Sequence, residues 1–202
     1  MEHYSEAFVG IDTSKLRNAV AVAESGRTGE LRYLGEVDTT DTAMRKVIAK
    51  LAGKYAKLTF CYEAGPTGYG LYRLIRSLGH ECLVAAPSLI PMRAGDRVKT
   101  NRRDAEGLAR LLRAGELTAA WVPGERHEAM RDLVRSREAA KRDLMVKRQR
   151  VSSFLLRLGR HYPAKKTWGR AHFNWLAKQQ LEQREQRLAF EEMLLGVCQE
   201  SD

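Results

Sequence analysis

Three acidic side chains stand where their type and spacing could do chemistry. Asp12 closes the apolar run Phe8-Val9-Gly10-Ile11, and Glu63 closes Lys57-Leu58-Thr59-Phe60-Cys61-Tyr62. Asp104 opens a helix-forming stretch just after Lys99-Thr100-Asn101-Arg102-Arg103. Carboxylates at the ends of neighbouring strands can converge on one hard cation such as Mg2+, which takes oxygen ligands. A strand-ending acid is by itself commonly a turn former or a helix cap, so neither strand acid carries the reading alone. Asn101 and Asp104 lie three residues apart and share a helix face if the first turn reaches back to 101. Acids from two strands and a helix, beside a basic loop, match the layout of a two-metal phosphodiester site, where the ions stabilise attacking and leaving oxygens.

Other chemistries fare worse. Gly65-Pro66-Thr67-Gly68-Tyr69-Gly70 could offer backbone N–H groups to a phosphate, but it lacks the phosphate-loop lysine pattern and reads better as a strand-to-helix turn. The five histidines have no H-x-x-x-H or H-E-x-x-H spacing, so surface histidines are expected. Cys61, Cys82 and Cys198 share no C-x-x-C spacing, which argues against a cysteine zinc site and a disulfide framework and fits a reducing, cytoplasmic setting. Ser14 has no G-x-S-x-G context. Trp121, Trp168 and Trp175 read as core or helix-packing residues rather than base-stacking platforms.

The elements that must position the acids follow from periodicity. Strands over 8–12, 18–23 and 31–37, joined by short polar turns, make an antiparallel meander. Asp41 is expected to cap a helix over 42–54, with Met44, Val47, Ile48 and Leu51 at helical spacing. A strand over 57–63, a helix over 69–78 and a strand over 81–85 follow. Strands alternating with helices after a meander give an α/β fold: a mixed sheet with flanking helices. Residues 87–102 read as a basic loop, 104–114 as a helix, and 119–123 as an extended piece closing the domain. One long helix over 125–159 carries Met130, Leu133, Arg137, Ala140, Leu144, Lys147, Val151, Phe154 and Leu158 on a seam, a coiled-coil pattern with two basic interruptions. A last helical stretch spans about 170–197. The boundaries expected are 1–124 for the α/β domain and 125–202 for the helical region.

Charge then points to a partner. The 202 residues carry 35 basic and 25 acidic side chains, for a net charge of +10. The excess is local: residues 93–170 hold 21 basic and 9 acidic side chains. Sixteen of those cations are arginine, the residue suited to forked phosphate contacts. This is the footprint of a polyanion binder, and Arg93, Arg97, Lys99, Arg102 and Arg103 are the expected nucleic-acid contacts beside the acids. No apolar run approaches the roughly twenty residues of a membrane span, and the acidic N-terminus is unlike a secretory signal.

Three segments, taken together and in order, resemble a known family. They are Val9-Gly10-Ile11-Asp12-Thr13-Ser14-Lys15, Tyr62-Glu63-Ala64-Gly65 and Arg97-Val98-Lys99-Thr100-Asn101-Arg102-Arg103-Asp104-Ala105, and they resemble the DEDD-motif transposases of the insertion-sequence-110 family, related to the Piv invertases. The resemblance covers about residues 7–175 and implies a RuvC-like (RNase H-like) domain followed by a coiled coil. It further implies DNA transposition and recombination directed by a structured guide RNA, and a nucleophilic serine in a C-terminal domain. The family's four acids map onto Asp12, Glu63, position 101 and Asp104, as catalytic and metal-binding residues. Position 101 is Asn here, which brings an oxygen but no charge, so weak Mg2+ binding is expected. By length, the chain is expected to be a truncated copy or an isolated N-terminal portion. A non-catalytic remnant that binds nucleic acid and forms a homodimer through residues 125–159 is the competing expectation. An actin-like ATPase or sugar kinase, which also opens on a G-I-D turn, lacks here its second phosphate loop.

Overall fold

The computed structural model describes residues 6–26, 28–91 and 100–199. The chain forms two compact units, Met1–Val122 and Pro123–Asp202. In the first, β1 (Glu6–Asp12), β2 (Arg17–Glu24) and β3 (Leu31–Asp38) form the expected meander. Helix α1 (Asp41–Ala52), β4 (Lys57–Glu63), α2 (Gly70–Ser77), β5 (Glu81–Ala85) and α3 (Asn101–Ala114) follow. The five-stranded sheet has the order β3-β2-β1-β4-β5, with β1–β2 and β2–β3 antiparallel and β1–β4 and β4–β5 parallel. This mixed sheet with helices on both faces is compatible with an RNase H-like fold.

Alternation along the strands separates the two faces. Val9 and Ile11 of β1, Val20 and Val22 of β2, and Phe60 and Tyr62 of β4 pack with Met44 and Ile48 of α1 and with Leu74 and Ile75 of α2. The opposite face carries small side chains, Ala19, Ala21, Ala23 and Cys61, against Ala105, Leu108, Ala109 and Leu112 of α3. Small residues on both partners let α3 sit very close. At Gly10 an added Cβ would lie 2.3 Å from both the Ala105 carbonyl oxygen and the Ala109 nitrogen. The Cys61 thiol donates to the Leu108 carbonyl at 3.5 Å, and Arg113 at the far end of α3 donates to the carbonyls of Glu24 and Gly29. These contacts run α3 antiparallel to β1, so its N-terminus lies over the strand ends that carry Asp12 and Glu63.

Local signals explain most boundaries, with corrections. Thr40, not Asp41, caps α1, its hydroxyl accepting from the Ala43 N–H at 3.4 Å. Asp41 instead contributes negative charge in the first turn, which suits the helix dipole. The third helix begins three residues earlier than expected, because Thr100 caps it by accepting from the Arg103 N–H at 3.3 Å. The piece after α3 runs beside β5: Ala86 N–H donates to Thr118 and Ala120 N–H to Val84. Trp121 there is 62% exposed, not a core residue.

In the second unit α4 (Glu125–Arg157) is the expected long helix. The last stretch is not one helix but two, α5 (Arg170–Ala177) and α6 (Arg184–Gln199). The Gln179 side chain donates to the Trp175 carbonyl at 2.9 Å and helps end α5, and the turn that follows buries Leu181. Val151, Phe154 and Leu155 of α4 then close a core with Leu176, Leu181, Phe190 and Val197. The apolar seam of α4 is therefore divided. From Leu144 onward it packs within the chain, whereas Met130 and Leu133 are 58% and 65% exposed. His172 is buried, contrary to the surface position expected of it, and its Nδ1 accepts the Trp168 N–H at 3.0 Å. Among the described residues, no helix is long and apolar enough to cross a membrane.

Candidate functional site

The strand pairing places the two strand acids side by side. The β1–β4 register runs to Ile11–Tyr62, and Asp12 and Glu63 are the next residue on each strand. Adjacent strands lie about 4.8 Å apart. Parity puts both acids on the α3 face, two residues beyond Gly10 and Cys61, which touch that helix. Asp12 is half-buried and Glu63 exposed.

Helix α3 supplies the other two positions. Asn101, Asp104, Ala105 and Leu108 have the i, i+3, i+4, i+7 spacing of one helix face, and Ala105 and Leu108 are buried against the sheet. Asn101 and Asp104 continue that face toward the strand ends. The first turn does reach back to 101, so the two share a face as the spacing required.

Around these four lie residues that sequence reasoning missed. The Asn101 amide donates through Nδ2 to Glu36 Oε1 on β3 at 3.3 Å. Glu36 pairs with Ala19, which pairs with Asp12, so all three lie on one line across the sheet. The Arg102 guanidinium sits 5.3 Å from the centre of the Tyr33 ring and donates to Glu106 at 2.9 Å. Burial first, and then the Glu36 carboxylate, push the Tyr33 phenol up, while Arg102 pulls it down and Asp12 adds a smaller upward push. The Thr13 and Thr67 hydroxyls meet at 3.1 Å and link the turn after Asp12 to the glycine-rich turn after Glu63. Alternation groups Tyr33 with Leu31, and both pack on the α3 side; nothing local marked Glu36.

Four oxygen-bearing side chains thus share one end and one face of the sheet, and that donor set fits a hard divalent cation. Among the described residues, no three His, Cys, Asp or Glu side chains are already gathered into a metal-holding group. Of the expected nucleic-acid contacts, Arg102 and Arg103 lie in the first turn of α3, whereas Arg93, Arg97 and Lys99 fall outside the described residues.

Residues 9–159 match the transposase family model for DEDD transposases of the IS110 type. The chain belongs to the IS110 transposase family. It is 60% identical over 197 residues to a Sinorhizobium fredii protein named "Putative transposase y4qE", covering 98% of this chain and 50% of the relative. It is 38% identical over 173 residues to "Transposase for insertion sequence element IS1533" of Leptospira borgpetersenii, covering 85% of this chain and 50% of that protein. The chain therefore spans about half the length of these relatives. The matched span includes Asp12, Glu63, Asn101 and Asp104.

Proposed function

We propose that this chain is the nucleic-acid-binding, metal-site half of a DNA transposase and site-specific recombinase. What supports the reading is that Asp12 and Glu63 end adjacent strands on the face over which α3, with Asn101 and Asp104 in its first turn, begins. Asp12, Glu63 and Asp104 would hold Mg2+, with the Asn101 amide oxygen in the fourth place. A bound ion would supply Lewis-acid stabilisation of phosphate oxygens during strand transfer. The chain's own contribution is positional. The Gly10 close approach fixes the height of α3, Thr100 caps its first turn, and the Thr13–Thr67 bond ties the two acid-bearing strand ends together. Arg102 and Arg103 present cationic side chains beside that end, where DNA or a structured guide RNA would be held by its phosphates.

The test is titration of the chain with Mg2+ by calorimetry. The parent should bind weakly, and Asp12→Asn and Glu63→Gln should each abolish measurable binding. Binding unchanged in both variants would remove the metal-site reading. A second reading keeps the partner and drops the chemistry: a non-catalytic binder that dimerises through α4. It is favoured by the lack of a pre-gathered acidic group among the described residues and by the exposed Met130–Leu133 end of the seam. Under it, nucleic acid binds equally well with or without Mg2+ and in Asp12→Asn.

A further inference from the structure

Glu36 reaches the α3 face only because β3 is irregular. The β2–β3 register pairs Val20 with Gly35 and Ala21 with Tyr33, so Leu34 is an extra residue opposite no partner. Such a bulge shifts side-chain parity. Gly35 adopts φ +107°, a conformation that side-chain-bearing residues rarely take. The result is that Tyr33 and Glu36, three apart, both face α3, while Val37 packs on the opposite core. Without the bulge, Tyr33 and Glu36 would point to opposite faces.

There Glu36 meets Asn101. A carboxylate only accepts, so the amide must present Nδ2 to it, and the planar group then turns Oδ1 away from β3. Arg17 approaches the other Glu36 oxygen at 3.9 Å. An aspartate at 101 would set two carboxylates against each other where one bond now forms. We infer that Glu36 is a positioning residue: it orients the Asn101 amide by its nitrogen, leaves the amide oxygen Oδ1 as the atom free to ligate a cation, and makes asparagine the compatible partner at 101. The inference rests on the metal-site reading only for the use to which Oδ1 is put. The pairing itself stands on geometry.

Two measurements on the full chain separate these levels. Thermal unfolding without Mg2+ tests the pair. Asn101→Asp should lower the melting temperature, and Glu36→Gln in the same chain should restore it, because Gln can donate to Asp where Glu repels it. Additive effects of the two substitutions would overturn the pairing. Calorimetry with Mg2+ alone tests the positioning. Glu36→Ala should weaken binding, by up to about tenfold, the low end of what outer-sphere partners contribute. Glu36→Gln removes the same charge but keeps an oxygen that can accept from Nδ2, so it should retain most of the affinity. Equal losses in Glu36→Ala and Glu36→Gln would show a mere charge effect and overturn the positioning role. If Asp12→Asn left Mg2+ affinity unchanged while the melting temperatures behaved as stated, the metal reading would fail and the Glu36–Asn101 pair would stand.

Discussion

Single residues decide what this site can hold. Glu63 and Asp12 were legible in the sequence because each ends an apolar run, and period-two alternation put both on one face. Glu36 was not legible, since its orientation depends on a bulge, and a bulge is set by how two strands pair. The burial of His172 was equally hidden: it depends on Trp168, Tyr162 and Trp175 closing around it, with ring centres 4.7–5.8 Å away. That burial gives a pH prediction. His172 accepts from the Trp168 N–H and is therefore neutral, and desolvation holds its pKa below the ordinary 6.5. The Arg148 guanidinium lies 5.3 Å from the centre of the Trp168 ring that packs on His172, and a cation there does not favour a protonated imidazole. A base with a depressed folded-state pKa binds its proton more readily when unfolded. Its stability contribution is full above about pH 6.5 and declines as pH falls below that value. Chemical denaturation from pH 7.5 to 5 should show this decline, and His172→Gln should flatten it. An unchanged profile would place the pH dependence elsewhere.

At the scale of elements, α3 against β1 is the packing on which the site depends. Gly10→Ala would drive a methyl group into the backbone of α3, and rigid helical backbone cannot yield as a flexible side chain can. Overpacking of this kind costs on the order of 1–3 kcal/mol. Urea unfolding should show it, and a failure to bind Mg2+ should accompany it as α3 lifts from the strand ends. The small-residue pattern Gly10, Ala19, Ala21, Ala105 and Ala109 was visible in the sequence, but its meaning needed the helix placed over the sheet. For α4 the seam was legible as a period and its use was not. The half from Leu144 onward is covered by the chain's own α6, because α5 and α6 break where one helix was expected. If the exposed half joins two copies, Leu133→Glu should convert a dimer to a monomer in sedimentation equilibrium without changing its helical circular dichroism. A parent that is already monomeric at micromolar concentration would rule out that use of the seam.

Across the whole molecule, charge and topology point to the same class of partner. The basic excess over 93–170 includes Arg102 and Arg103 in the first turn of α3, the end of that helix that lies over Asp12 and Glu63. Binding to duplex DNA should weaken steeply with salt. Arg102→Ala with Arg103→Ala should flatten the log–log slope by about 0.9 for each B-DNA phosphate that the two arginines neutralise. A slope indifferent to both substitutions would move the nucleic acid away from α3. The family assignment covers three quarters of the chain, yet whether its acids still hold an ion turns on a local arrangement. The direct measurement is paramagnetic broadening of backbone amide signals by substoichiometric Mn2+ in the full chain. Broadening should centre on Asp12, Glu63 and the first turn of α3, and disappear from them in Asp12→Asn. Broadening that centres on the acids of α6 or scatters over the surface, with Asp12 and Glu63 unaffected, would contradict the metal-site reading.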